Sequence, residues 1–113
     1  GVADLYISSA YTSTGWLTVT LTWTPPASTL TTTLRYDDEP ITSASWSSSS
    51  LLAAVPGSTD TYTACIPYTG GTRFFAVGLR GQCRVWSALS SNALWPARST
   101  FLPAATSAYA SAR

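Results

Sequence analysis

The chain has 113 residues, of which 45% are hydrophobic and only 10% charged, and its net charge is +1. This length fits one compact domain with a single core, and the low charge argues against a nucleic-acid-binding surface or an acidic disordered tail. The chain contains no run of eighteen apolar residues, so we expect no membrane insertion.

Hydroxyl side chains dominate the polar residues. The chain has 17 Ser and 18 Thr residues but no Lys, His or Met, a balance that is unusual for cytosolic proteins. We therefore expect an extracellular or cell-surface protein. Clustered Ser and Thr are typical of O-glycosylated surfaces, and an unmodified hydroxyl surface is the simpler interpretation.

The predicted elements are short strands. Leu5 and Ile7 alternate near the start, and from Leu17 to Trp23 every odd position is apolar while every even position is Thr. A period of two predicts a half-buried strand with the odd side chains in the core. Pro25 and Pro26 end it, because proline cannot donate to a sheet ladder.

Further strands follow at similar spacing. They are predicted around Arg35, before Pro67, from Phe74 to Arg80 and from Val85 onward, separated by Gly, Pro and acidic turns. This punctuation indicates an antiparallel all-β sandwich rather than a parallel sheet with helices. From residue 97 the composition changes to Ala, Ser and Thr, so we predict a domain over 1–96 and an irregular tail or linker over 97–113.

The order of these landmarks resembles the fibronectin type III family from Val2 to Pro96. The matching pieces are Thr22–Pro26, Leu34–Tyr36, Tyr62–Gly70, Phe75–Val77 and Trp86–Asn92. The resemblance implies a seven-stranded antiparallel sandwich in which Trp23 is a core residue.

Two positions depart from the family pattern. Arg73 stands where the family has a corner tyrosine, and Phe74 takes part of that role only if the register slips by one residue. Pro67 stands where a core leucine is expected, with Ile66 or Tyr68 as substitutes. Trp86-Ser-Ala-Leu89-Ser also resembles half of the Trp-Ser-x-Trp-Ser box of cytokine-receptor modules.

The sequence predicts no catalytic activity, cofactor or metal site. No His is present, and the five carboxylates include three in one turn, from Asp37 to Glu39, with the others in separate segments. No acid and base pair is therefore indicated. Two Cys without His cannot form a structural zinc site.

The two cysteines, Cys65 and Cys83, are predicted near the end of the fifth strand and beyond the end of the sixth. An eight-residue strand separates them by about 25 Å, whereas a disulfide needs Cα atoms within about 7 Å. Two interpretations remain. The thiols join neighbouring subunits from opposite poles, or both stay unpaired as small apolar residues.

One sheet face is predicted as an interaction surface. Placing Phe75, Val77 and Leu79 in the core turns Phe74 outward beside arginines, and interfaces favour aromatics and Arg. Trp46 is predicted on a short strand that extends this face. The candidate residues are Arg35, Trp46, Phe74, Arg80 and Trp86. Trp16 and Trp95 are expected to close the ends of the sandwich.

Two non-catalytic functions follow. The first is a structural or adhesive subunit of a surface fibre or array, which associates with itself or with neighbouring domains through its poles, its sheet face and its tail. The candidate assembly residues of the tail are Phe101, Leu102 and Tyr109. The alternative is a spacer or carbohydrate-binding module of a secreted polysaccharide-degrading enzyme, with glycans as partners.

Overall fold

A computed structural model describes residues 4–81 and 86–96, with side chains except at 86–88. The strands are β1 Tyr6–Ser13, β2 Trp16–Thr22, β3 Thr31–Asp37, β4 Ser50–Pro56, β5 Thr61–Pro67, β6 Arg73–Arg80, β7 Trp86–Leu89 and β8 Ala93–Trp95. A short 3-10 helix, Trp46–Ser48, precedes β4. Within these ranges, no helix has the length and apolar character needed to span a membrane.

The strands form two antiparallel sheets. One has the order β1-β2-β5, and the other has the order β4-β3-β6-β7 with β8 also paired to β6. β7 pairs with the end of β6 and β8 with its beginning, so together they occupy one interrupted edge position. The predicted seven-stranded antiparallel sandwich is confirmed, while the tail over 97–113 lies outside the described residues.

The core follows the alternation in β2. Leu17, Val19 and Leu21 are completely buried and Trp23 is 2% exposed, while the intervening threonines face outward. The opposite sheet contributes residues that are equally buried: Leu34, Phe75, Val77 and Leu79. Burying each such side chain stabilises the fold by about 1.5 to 3 kcal/mol, so the sandwich depends on these inward rows.

Tyr68 forms the corner between β5 and β6. Its hydroxyl donates a hydrogen bond to the Gly71 carbonyl at 2.7 Å, and the Arg73 guanidinium lies 5.1 Å from its ring centroid. Trp95 packs edge-on against the same ring at 5.4 Å. Gly70 and Gly71 have φ angles of 123° and 89°, which favour glycine. The corner tyrosine of this chain therefore lies before the Gly70-Gly71 turn, whereas the family pattern places it after that turn, at the position of Arg73.

This geometry resolves both departures from the family pattern. Phe75 is completely buried in the main core, so β6 has the predicted register without a slip, and Phe74 does not form the corner. Ile66 is 3% exposed and fills the core position beside Pro67. Trp95 closes this end of the sandwich, as predicted, whereas Trp16 is 50% exposed.

Replacing Tyr68 with Phe should lower the free energy of unfolding by about 1 kcal/mol, because the Gly71 carbonyl loses its hydroxyl partner while the ring packing remains. Urea denaturation measures the change. Tyr62→Phe is the matched control, since the Tyr62 hydroxyl makes no hydrogen bond within the described residues. Equal stability of the two variants would contradict a role for the Tyr68 hydroxyl.

Asp4 fixes the start of β1 to the end of β2. Its carboxylate accepts hydrogen bonds from the Thr24 hydroxyl at 2.5 Å and the Thr24 backbone N–H at 3.0 Å. The hydroxyl bond, followed by the backbone bond, lowers the pKa of Asp4 from its ordinary value of 3.8. Since the pKa is lower in the folded state, the charged carboxylate favours folding.

The contribution of Asp4 to stability should be fully present above the unfolded pKa of 3.8 and lost as pH falls through the lower folded value. Asp4→Asn removes the charge, so the difference in stability between wild type and variant should shrink as the solution is acidified. Thermal unfolding at a series of pH values from neutral to about 2 measures this difference. A difference that is independent of pH would exclude the linkage.

Candidate functional site

The outer face of the five-stranded sheet is covered by the chain itself. Phe74 points away from the main core, as the alternation predicts, yet it is only 7% exposed. It packs in a second cluster with Ile41 and Ala76, and three partly buried side chains complete it: Trp46, Leu89 and Leu94. Ile41 and Trp46 belong to residues 40–49, here called the strap, which crosses this face. The prediction that Phe74 is exposed is wrong.

Arg35 binds the strap from β3. Its Nη1 donates to the Ser49 carbonyl at 2.7 Å, and its guanidinium carbon lies 5.4 Å from the Trp46 ring centroid. Trp46 lies in the 3-10 helix and not on the predicted strand. The reason is local, because Thr42 and Ser45 exchange hydrogen bonds between hydroxyls and backbone N–H groups, which favour a turn.

Asn92 fixes the other end of the strap. Its Oδ1 accepts from the Ile41 backbone N–H at 2.8 Å, and its Nδ2 donates to the Ile41 carbonyl at 2.9 Å. The side chain thus pairs with both backbone groups of a residue that is 3% exposed. Nearby, the Ser90 hydroxyl accepts from the Val77 N–H where β7 and β8 separate. The two Asn92 bonds hold the strap, while the Ser90 bond joins the β7–β8 connection to β6.

Replacing Asn92 with Ala should lower the free energy of unfolding by about 1 to 3 kcal/mol, because it leaves both backbone groups of buried Ile41 without their partners. Ser91→Ala, at an exposed neighbouring position, is the control. Urea denaturation compares the two variants. If Asn92→Ala were as stable as the control, the strap would not depend on this side chain.

The remaining predicted site residues are either far apart in the sequence and the fold or lie outside the described residues. Arg80 is half-buried at the end of β6 and pairs with Trp86 in the backbone register, but the Trp86 side chain is not described. Cys65 has a free, exposed thiol on β5. Four further candidates lie outside the described residues: Cys83, Phe101, Leu102 and Tyr109. The proposals that the thiols and the tail mediate assembly remain predictions.

The outer face of the three-stranded sheet is the open aromatic surface. Tyr6, Tyr11 and Trp16 are 53%, 60% and 50% exposed on β1 and the start of β2. The sequence prediction missed the two tyrosines as surface residues, although inward Leu5 and Ile7 already place Tyr6 outward. We call this surface, formed by the outward side chains of β1, β2 and β5, the aromatic–hydroxyl face.

The outward side chains of this face are mainly aromatic rings and hydroxyl groups. Within the described ranges, no group of three or more Cys, Asp or Glu residues could hold a metal ion. Asp37 is the last residue of β3, and its carboxylate accepts the N–H of Asp38 in the following bend at 2.7 Å. Rings and hydroxyls offer stacking surfaces and hydrogen bonds, which are the means of recognising a neutral polar ligand.

Comparison with known proteins gives a likeness at the level of the fold. No protein-family model matches the chain, and no curated protein matches it. A Fn3-like protein from Clostridium thermocellum is similar in structure, with a TM-score of 0.57 and 17% identity over 83% of this chain and 84% of that chain.

Two crystal structures of a pectate lyase from Pectobacterium carotovorum are also similar. The TM-score is 0.60 in both, with 13% and 14% identity, and the match covers 81% and 89% of this chain. It covers only 26% and 29% of the pectate lyase chains, so this chain spans little more than a quarter of that enzyme's length. Together these likenesses show that the chain has a fibronectin type III-like sandwich fold.

Proposed function

We propose that this chain is a non-catalytic accessory module of a secreted polysaccharide-degrading enzyme. The observation that carries the proposal is the likeness to about a quarter of a pectate lyase chain, which associates a sandwich of this type with a longer enzyme of that class. Among the described residues, the Asp4 and Asp37 carboxylates accept bonds from the backbone N–H groups of Thr24 and Asp38, and no group of three or more Cys, Asp or Glu residues could hold a metal ion. These features accord with a non-catalytic role.

The fold suits a module that positions other domains. Its two sheets enclose one core of buried side chains, and Arg35 and Asn92 bind the strap to the outer face of one sheet. The fibre function stays a prediction. The sheet face on which it partly depended is covered by the strap. Of its other candidates, Cys65 is exposed on β5, while Cys83 and the tail residues lie outside the described ranges.

The full-length polypeptide that contains this chain should include a catalytic domain acting on a polysaccharide. Deleting the sandwich from that polypeptide should leave kcat on short soluble oligosaccharides unchanged, because an accessory module contributes no reacting group. Sedimentation velocity of the isolated chain should show a monomer. A polypeptide made only of such sandwiches, or concentration-dependent polymerisation of the chain, would instead indicate a structural subunit.

A further inference from the structure

The aromatic–hydroxyl face has no formal charge. None of the residues in β1, β2 and β5 is Asp, Glu, Lys or Arg. The described arginines, Arg35, Arg73 and Arg80, all belong to β3 and β6 of the other sheet. Two carboxylates, Asp4 and Asp60, adjoin the Tyr6 end of the face. Its charge therefore suits a neutral ligand and disfavours an anionic one.

A β-bulge places both tyrosines on this face. Residues five apart on a regular strand point to opposite sides, yet Tyr6 pairs with Thr22 and Tyr11 with Thr18, which are both outward positions of β2. The register shifts between Ile7 and Ser9, so Ser8 is the additional residue. The Ser8 hydroxyl is held by the Thr22 hydroxyl at 2.9 Å. Bulges re-aim side chains in this way.

Hydroxyl groups fill the area beside the rings. Besides Trp16, the outward positions of β2 are Thr18, Thr20 and Thr22. The Thr20 and Thr63 hydroxyls are 2.9 Å apart across β2 and β5. Such cross-strand pairs hold their hydroxyls in fixed positions while leaving further donor and acceptor capacity. The surface thus combines separate ring faces with ordered hydrogen-bonding groups.

The rings form an extended line. Tyr6 and Tyr11 are separated by four residues of β2 register, or about 14 Å along the strand, and Trp16 lies two residues further, about 7 Å. A ligand that contacts all three rings must therefore be an extended chain about 20 Å long. Because hydroxyls separate the rings, the face lacks the continuous apolar centre expected of a protein interface.

We propose that the aromatic–hydroxyl face binds a neutral, extended polysaccharide of the β-1,4-linked type along β1. The C–H faces of successive sugar rings stack on Tyr6, Tyr11 and Trp16, and the sugar hydroxyls bond to the rows of threonine hydroxyls. This inference rests on the proposed accessory function and specifies its ligand. The polymer differs in charge from pectate, which is anionic.

Affinity electrophoresis and isothermal titration calorimetry of the full chain should detect binding to hydroxyethylcellulose or glucomannan. Tyr11→Ala and Trp16→Ala should each weaken that binding by about tenfold, the loss expected for removing one stacking contact. Leu30→Ala and Leu51→Ala are matched controls, because these side chains are 57% and 58% exposed outside this face and should leave affinity unchanged. Thermal unfolding should show that all four variants remain folded.

Cys65 provides a second measurement. It occupies the same cross-strand row as Tyr11 and Thr18. In a Cys83→Ser background, an environment-sensitive fluorophore on Cys65 should change its emission when hydroxyethylcellulose binds. No such change should occur with soluble polygalacturonate, which is an anionic polymer.

Three binding results would overturn the inference: absence of binding to both neutral polymers, binding of polygalacturonate alone, or binding that Tyr11→Ala and Trp16→Ala do not weaken. A dimer in sedimentation velocity that Tyr11→Ala dissociates would assign the face to a second copy of the chain and would also overturn it. If binding fails while the full-length polypeptide contains a polysaccharide-degrading domain, the accessory function stands and only this ligand assignment is wrong.

Discussion

The two-residue period of β2 determines which side chains of this domain contact water. Trp23 and the three aliphatic residues before it fill the space between the sheets, so the threonines between them must point outward. β2 is the central strand of its sheet, and both β1 and β5 pair with it along nearly its full length. The residues of β1 and β5 that pair with β2 therefore follow its alternation. Because the apolar side chains of β2 are buried, its threonine hydroxyls lie on the outer face.

The two sheets differ in whether their outer faces are covered by other parts of the chain. The five-stranded sheet has apolar side chains on both sides, because Phe74 and Ala76 face outward from β6. Burying them requires additional chain, which the strap supplies. The three-stranded sheet has threonine on its outward side and needs no cover. The open surface is consequently on the sheet whose outward residues are mostly polar. Its exposed aromatic rings are accessible to a ligand.

Much of the fold could be predicted because the signals are local. The odd-numbered apolar residues of β2 and the inward row of β6 define strands and core without reference to distant residues. The strap could not be predicted in the same way. Asn92 contacts Ile41 across 51 residues, and no local pattern indicates that an amide side chain will pair with that backbone. The segment before β4 is rich in Ser and gives little periodic signal, so its turn was interpreted as a strand.

The candidate site was misplaced for a related reason. Alternation correctly turned Phe74 away from the main core, but exposure depends on whether another segment covers that side, which periodicity does not encode. On β1, the alternation is interrupted at Ser8, so a strict period of two would have assigned Tyr11 to the wrong face. The corner shows a different kind of departure. Arg73 occupies the position where the family has a tyrosine, and the hydroxyl of Tyr68, which lies earlier in the chain, bonds the turn instead.

Because of the bulge at Ser8, the number of residues in β1 determines which of its side chains face the core. One residue more or fewer between Ile7 and Tyr11 would exchange the faces of the residues before it relative to Tyr11, so that Leu5 and Ile7 would meet solvent and Tyr6 would meet the core. Divergent sandwiches of this type can therefore keep the same residues in β1 and yet display a different surface. An alignment that treats a single-residue gap in this strand as neutral would miss that inversion.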